Sequence, residues 1–258
     1  MKWIAVMAVC LAGCSSSEDS TTGKRVALDV KITSTPASKA PFVTASGWTV
    51  KLDKALVATG AFYFFDGEII FSKRSPLQKV GDFFVPVAHA HPGHYVPGNA
   101  KGEMLTPSSA DLLAGDAVLG KGNGVSGFVR SATFSFSTPA QGPQAAPLGA
   151  SVAVVEGTAT QGAEMRVFRA EVAAAEILNT KNAPQVEGCP FAVVDVEGDG
   201  VVTITVDAKL WFDQVDFAKE AKSTDGKPVA LAADGIARNG LVRGMKAGLA
   251  YGFAYATK

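Results

Sequence analysis

The chain has 258 residues, 47% of them hydrophobic and 19% charged, a composition that buries a substantial core and excludes a broadly disordered protein. Lysine plus arginine (24) equals aspartate plus glutamate (24). A net charge so close to zero excludes an electrostatic case for nucleic acid or for an anionic membrane surface. The length suits one large all-β domain or two smaller ones.

Residues 1 to 14 read as a targeting segment. Lys2 supplies a positive start, Trp3 to Val9 an apolar stretch too short to span a bilayer, and Leu11-Ala12-Gly13-Cys14 a small-residue cleavage site. This run resembles the lipobox of bacterial lipoproteins. The resemblance implies cleavage before Cys14, diacylglycerol on its sulfur and an acyl chain on the new N-terminus, which together anchor the protein to a membrane. Ser15, where aspartate is absent, is similar to the outer-membrane form of that family's sorting signal, so the expected location is the cell envelope at the outer membrane. Ser15 to Gly23 (SSSEDSTTG) has no aromatic or aliphatic residue to bury and is expected to act as a tether. The domain proper is then residues 24 to 258. With Cys10 in the leader and Cys14 lipidated, Cys189 stands alone and no disulfide forms within the mature chain. It is expected as a buried small hydrophobe at a strand entrance, with a metal ligand or reactive thiol as alternatives.

From Lys24 onward the hydrophobic period is two. Val26, Leu28, Val30 and Ile32 alternate with polar or small residues until Thr35-Pro36, and Trp48, Val50 and Leu52 repeat the pattern. The apolar run Ala61 to Phe65 stops at Asp66-Gly67, and Glu68 to Phe71 follows, the signature of a hairpin. Similar strands are expected at 128–136, 151–158, 165–172, 201–206 and 249–255, where Leu249, Tyr251, Phe253 and Tyr255 share one face. The fold class is therefore all-β, an antiparallel sandwich or barrel, with one or two short helices. Thr106-Pro107 followed by Ser108 to Ala114 predicts a helix with a proline at its first position, and Asp207 predicts another by capping residues up to Gln214. Gly240, Gly244, Gly248 and Gly252 recur every fourth residue, but Arg238, Arg243 and Lys246 exclude a membrane helix. A turn or short helix running into the last strand is expected there.

All three histidines of the chain lie in Ala88-His89-Ala90-His91-Pro92-Gly93-His94-Tyr95. Phe83 to Ala88 reads as a strand, so His89 and His91 project to the same side, and Pro92-Gly93 can turn His94 toward them. Three imidazoles in one strand-turn segment suit copper or zinc, with a fourth position left for water or another ligand. Further ligands are sought among Glu103, Asp82, Met104 and Cys189. Two alternatives stay open: an exposed or structural His-Pro-Gly loop that meets a partner, and a proton-responsive switch. Pro97 to Met104 is expected to prolong the segment as a polar loop.

His-Pro-Gly-His-Tyr, the following Pro-Gly and Gly-Glu-Met, and the later Trp211 to Phe217 (WFDQVDF) together resemble a pattern in uncharacterised bacterial envelope lipoproteins. The strand-rich layout with Trp211 near Asp213 is similar, more loosely, to periplasmic copper-binding proteins of the methanobactin system. No ligand is carried over from that second likeness. Asp195 to Gly200 places oxygen donors as a calcium loop does, but position 12 is Val206, and a hairpin turn between Phe191–Val196 and Val201–Val206 explains it more simply. Gly122-x-Gly124-x-x-Gly127 has the letters of a dinucleotide fingerprint without the βαβ unit and reads as a loop. No Gly-x-Ser-x-Gly elbow occurs, so no catalytic residue is assigned. The expectation is a lipid-anchored envelope protein that binds a transition metal, against a metal-free interaction lipoprotein with an envelope protein partner, or a metal-dependent hydrolase.

Overall fold

The computed structural model describes residues 23–69 and 95–258. The first strand, β1 (Arg25–Ser34), shows why the chain closes on itself: Val26, Leu28, Val30 and Ile32 are buried while Ala27, Asp29, Lys31 and Thr33 face outward. Such alternation requires one apolar face to be covered. The strands β4 (Phe62–Phe65), β5 (Ala100–Met104), β7 (Ala117–Val125), β8 (Gly127–Ser135), β11 (Gln185–Val196), β12 (Gly200–Val206) and β14 (Tyr251–Thr257) join β1 in a closed barrel, in the order β1-β12-β14-β11-β8-β4-β5-β7. Most pairs are antiparallel. Two are parallel, β1 with β12 and β11 with β14.

The barrel interior is filled with rings. Phe134 stacks on Tyr251 with centroids 4.2 Å apart, Phe62 meets Phe134 at 5.3 Å, and Phe64 meets Phe191 edge-on at 5.7 Å. Such offset and edge contacts add to the burial of area. Glycines let neighbouring strands of the barrel wall approach closely. A Cβ at Gly102 would come within 3.0 Å of Phe64, and one at Gly122 within 2.4 Å of the Glu103 carbonyl. The Gly-x-Gly run is thus not a loop. Gly122 and Gly124 lie in β7, where a Cβ would meet the neighbouring backbone, and Gly127, at φ +129, opens β8.

A second sheet stands beside the barrel. Its strands are β2 (Phe42–Val43), β3 (Thr49–Thr59), β9 (Ser151–Gln161), β10 (Glu164–Ala173) and β13 (Val229–Ala230), in the order β13-β10-β9-β3-β2, with β6 (Ser108–Asp111) paired to β3. β3 runs directly through Gly60 into β4, and one hydrophobic cluster includes residues of both sheets, from Val30 and Phe62 to Trp48 and Phe168. The other face of the second sheet carries Leu56, Ala58 and Val154, covered by Leu148. Leu148 ends a helical turn that follows β8.

The helices are short. Among the described residues they are, in chain order, α1 (Pro36–Lys39), α2 (Ala145–Leu148), α3 (Ala208–Phe212) and α4 (Ile236–Met245). Asp207 caps α3 by accepting from the Lys209 N–H at 3.1 Å and also accepts from the Thr35 and Ser38 hydroxyls, tying α3 to α1. Phe212 packs on Phe42 and Phe168. α4 then crosses α3 closely, a Cβ at Gly244 coming within 2.3 Å of the Trp211 carbonyl. This is the short helix expected before the last strand, and among the described residues no helix is long and apolar enough to cross a membrane.

Four local expectations are corrected. Ser108 to Asp111 forms strand β6, not a helix, because its Ser and Ala side chains are buried against β3 and the tertiary pairing overrides the helix signal. Pro97 to Met104 is not wholly a loop, since Ala100–Met104 is β5. β11 and β12 do not form a hairpin, because β14 lies between them. Leu249 sits in a 3₁₀ turn (Gly248–Ala250), 60% exposed, and leaves Tyr251 and Phe253 to carry the buried face.

Candidate functional site

At one rim of the barrel the start of β1, the end of β4, the start of β5, the β7–β8 turn and the end of β11 come together. Ile69 and Tyr95 are the described residues that flank the histidine segment; Ile69 follows the end of β4, and Tyr95 lies against Gly188 near the start of β11. His89, His91 and His94, the strand expected at 83–88, and Asp82 lie outside the described residues, as do the leader, Cys14 and the tether up to Thr22.

The two sides of the segment are fixed by a small polar knot. Asp66 accepts the Asn99 N–H at 2.7 Å and the Asn99 side-chain amide at 3.2 Å, and the Gly67 N–H donates to the Pro97 carbonyl at 2.9 Å. Gly98 has φ +72, the left-handed region, and a Cβ there would meet the Asp66 carboxylate at 2.3 Å. Desolvation raises the Asp66 carboxyl, but the Asn99 hydrogen bonds and the Lys101 charge more than offset it and hold it below the usual range. Asp66-Gly67 therefore does not close a hairpin onto Glu68 and Ile69, while Ile70 and Phe71 lie outside the described residues. Both edges of β4 are already taken, by β5 and β8, and the turn faces Pro97 to Asn99 instead.

Tyr95, the residue after His94, is seated on the outer wall. Its ring lies against Gly188, where a Cβ would be 3.5 Å away, and Gly188 has φ +69. The Ser131 hydroxyl donates to the Gly67 carbonyl at 2.7 Å, so the Tyr95 hydroxyl donates to Ser131 at 2.9 Å. Burial pushes the Tyr95 phenol up, with the Ser131 bond opposing. Beside it runs a groove of about 290 Å³, apolar along Tyr63, Phe65, Tyr95 and Pro97 and polar at Lys181 and Glu187. A larger groove, about 480 Å³, crosses the neighbouring wall, with Arg25, Lys101, Glu103 and Asn123 over Gly102 and Gly124.

Comparison with family models, with curated proteins and with solved structures finds no match to this chain.

The structure does not bring the remaining ligand candidates together. Met104 is fully buried in the barrel, in contact range of Gly120 and Gly122. Glu103, its neighbour on β5, faces the other way and borders the larger groove. Cys189 is fully buried on β11 opposite Ala132, donating to the Val186 carbonyl at 3.3 Å, and desolvation pushes its thiol up to about 12. A thiol so held stays protonated at neutral pH, which favours the buried hydrophobe over a ligand or nucleophile. Among the described residues no group of three His, Cys, Asp or Glu is placed to hold a metal. The Asp195 to Gly200 segment is used structurally, Asp199 accepting the Ala27 N–H at 2.7 Å.

The aromatic groove was not legible in the sequence. Phe62 to Phe65 is a continuous apolar run, and nothing in it says that Phe62 and Phe64 fill the barrel while Tyr63 and Phe65 line its outside. The available signal was Tyr63, the one polar-tipped residue in that run.

Proposed function

We propose that this chain is a lipid-anchored binding protein of the cell envelope that holds a copper or zinc ion through His89, His91 and His94. The single observation that carries this reading is that every histidine of the chain falls within residues 89 to 94. Neutral imidazoles in such a segment supply borderline nitrogen donors without added charge. The leader ending at Cys14 supports the anchor and the envelope location. The positions of Met104 and Cys189 inside a filled barrel leave Glu103, Asp82 or water to complete the coordination.

The test is electron paramagnetic resonance of the full chain loaded with Cu(II). Nitrogen superhyperfine splitting that disappears in the His89→Ala/His91→Ala/His94→Ala variant supports the assignment. A parent spectrum without nitrogen coupling, or one unchanged in the variant, contradicts it.

A second reading is an interaction lipoprotein without metal. The observation in its favour is the groove beside Tyr95, whose aromatic floor and polar rim have the make-up of a recognition surface. Metal-free parent and variant would leave this reading in place.

A further inference from the structure

Lys24 enters the barrel at the same rim. Its N–H donates to the Ser126 hydroxyl at 2.9 Å and its carbonyl accepts the Ser126 N–H at 2.8 Å, two residues before Phe128. Val129 and Val194 are paired across β8 and β11 and face the core, so Phe128 and its partner Asp195 face out. Phe128 is 52% exposed, Val193 on the adjoining strand is 70% exposed, and Val96 at the same rim is 69% exposed. Phe128 is the aromatic among the exposed large hydrophobics of the described residues, and the Arg130 guanidinium lies 5.8 Å from its ring centroid. Lys24 and Arg25 are exposed beside the turn, while Asp195 is exposed at the end of β11 and Glu197 and Asp199 on the β11–β12 turn.

We infer that this rim is a membrane-docking surface, with Phe128 and Val193 seated at the headgroup level of the bilayer to which Cys14 is anchored. The inference rests on the lipid anchor proposed above. Nine residues lie between Cys14 and Lys24, and the ten Cα–Cα steps of that span reach at most about 35 Å when fully extended. The rim that receives the chain is therefore held close to the lipid, at an effective concentration that makes a weak apolar contact productive. The opposite rim is farther by the length of β1, about 33 Å for its ten residues. An exposed aromatic flanked by arginine and lysine has the make-up of an interfacial anchor, with ring at the headgroups and cations reaching to water. The nearby carboxylates balance those cations, so the surface fits a zwitterionic interface and gains little from anionic lipid.

The test places an indole on each rim of the full, lipidated chain in phosphatidylcholine vesicles that carry lipids brominated near the headgroup. The native Trp48 and Trp211 are buried and supply a constant background. Phe128→Trp and Val193→Trp are the reporting variants, and Val118→Trp, 80% exposed on the opposite rim, is the control. Flotation of the chain with the vesicles is recorded in parallel. The expected result is flotation, with the introduced emission at positions 128 and 193 falling as the brominated fraction rises and that at 118 unchanged. Flotation without quenching at 128 and 193, or with equal quenching at 118, overturns the docking surface and leaves the anchor standing. A blue-shifted emission at 128 without lipid quenching also overturns it, and points to a protein partner or a second copy. Failure to float removes the anchor and the inference together.

Discussion

At the scale of single residues, burial decides what the polar groups of the described domain do. Cys189 is the clearest case: its thiol, pushed up to about 12, sits next to Tyr251, whose phenol burial also raises well above its ordinary value. Both groups are protonated in the fold and ionise earlier in the unfolded chain, so their contribution is present at neutral pH and lost as pH rises past the ordinary thiol range toward 12. We expect a thiol reagent at neutral pH to leave the native domain from Lys24 onward, whose one cysteine is Cys189, unlabelled and to label that thiol after unfolding in denaturant. Rapid labelling of the native domain would contradict the assigned burial. Trp48, 2% exposed, donates its indole N–H to Asp216 at 3.0 Å, and Asp216 also accepts the Ala218 N–H. Asp216→Ala leaves a buried donor unpaired and should cost about 1–3 kcal/mol in urea unfolding. Glu176 is raised by desolvation, but Arg238, bonded to it at 2.7 Å, and the Ala173 N–H bring it below the usual carboxylate range. A depressed carboxylate stabilises above its unfolded value and loses that contribution as pH falls through its folded one. Arg238→Gln should therefore lower stability at pH 7 and flatten the loss on acidification, read from thermal midpoints across pH 7 to 3.

Elements are held by close approaches that only glycine permits. In α4, Gly244 lies against the Trp211 carbonyl and Gly240 against that of Gln214. Gly244→Ala gains helix propensity of up to about 1 kcal/mol but forces a backbone clash, and overpacking of about 1–3 kcal/mol should win. Gly198→Ala, at a turn where nothing lies within 4 Å of the new Cβ, should stay within about 0.5 kcal/mol of the parent. Chemical denaturation of the two variants checks the contrast. These elements also show what the sequence makes legible. β1, β8, β9, β10, β12 and the Asp207-capped helix were readable because alternation and capping are local. Ser108 to Asp111 and Asp66-Gly67 were misread because their local signals, a proline-led helix start and an Asp-Gly turn, lose to partners far along the chain, β3 in one case and β5 and β8 in the other.

For the whole molecule, one core joins an eight-stranded barrel to a second sheet, and β14 inserts between β11 and β12. An all-β architecture followed from the period of two, but the strand order did not. Pairing of β1 with β12 joins residues more than 170 positions apart, such as Leu28 with Gly200, and periodicity within each strand carries no register between them. The candidate site was legible in a different way. The histidines announce themselves by crowding, whereas the wall that seats Tyr95 and the rim knot of Asp66 and Asn99 are visible only once β4, β5, β8 and β11 are side by side. Tyr95, the first described residue after the histidine segment, directly follows His94.

The most direct measurement of the central proposal is the elemental content of the domain from Lys24 onward, purified without a histidine tag beside the variant in which His89, His91 and His94 are alanine. Near-stoichiometric copper or zinc in the parent and none in the variant is the predicted result. No metal in either after loading and dialysis, or equal metal in both, would contradict it.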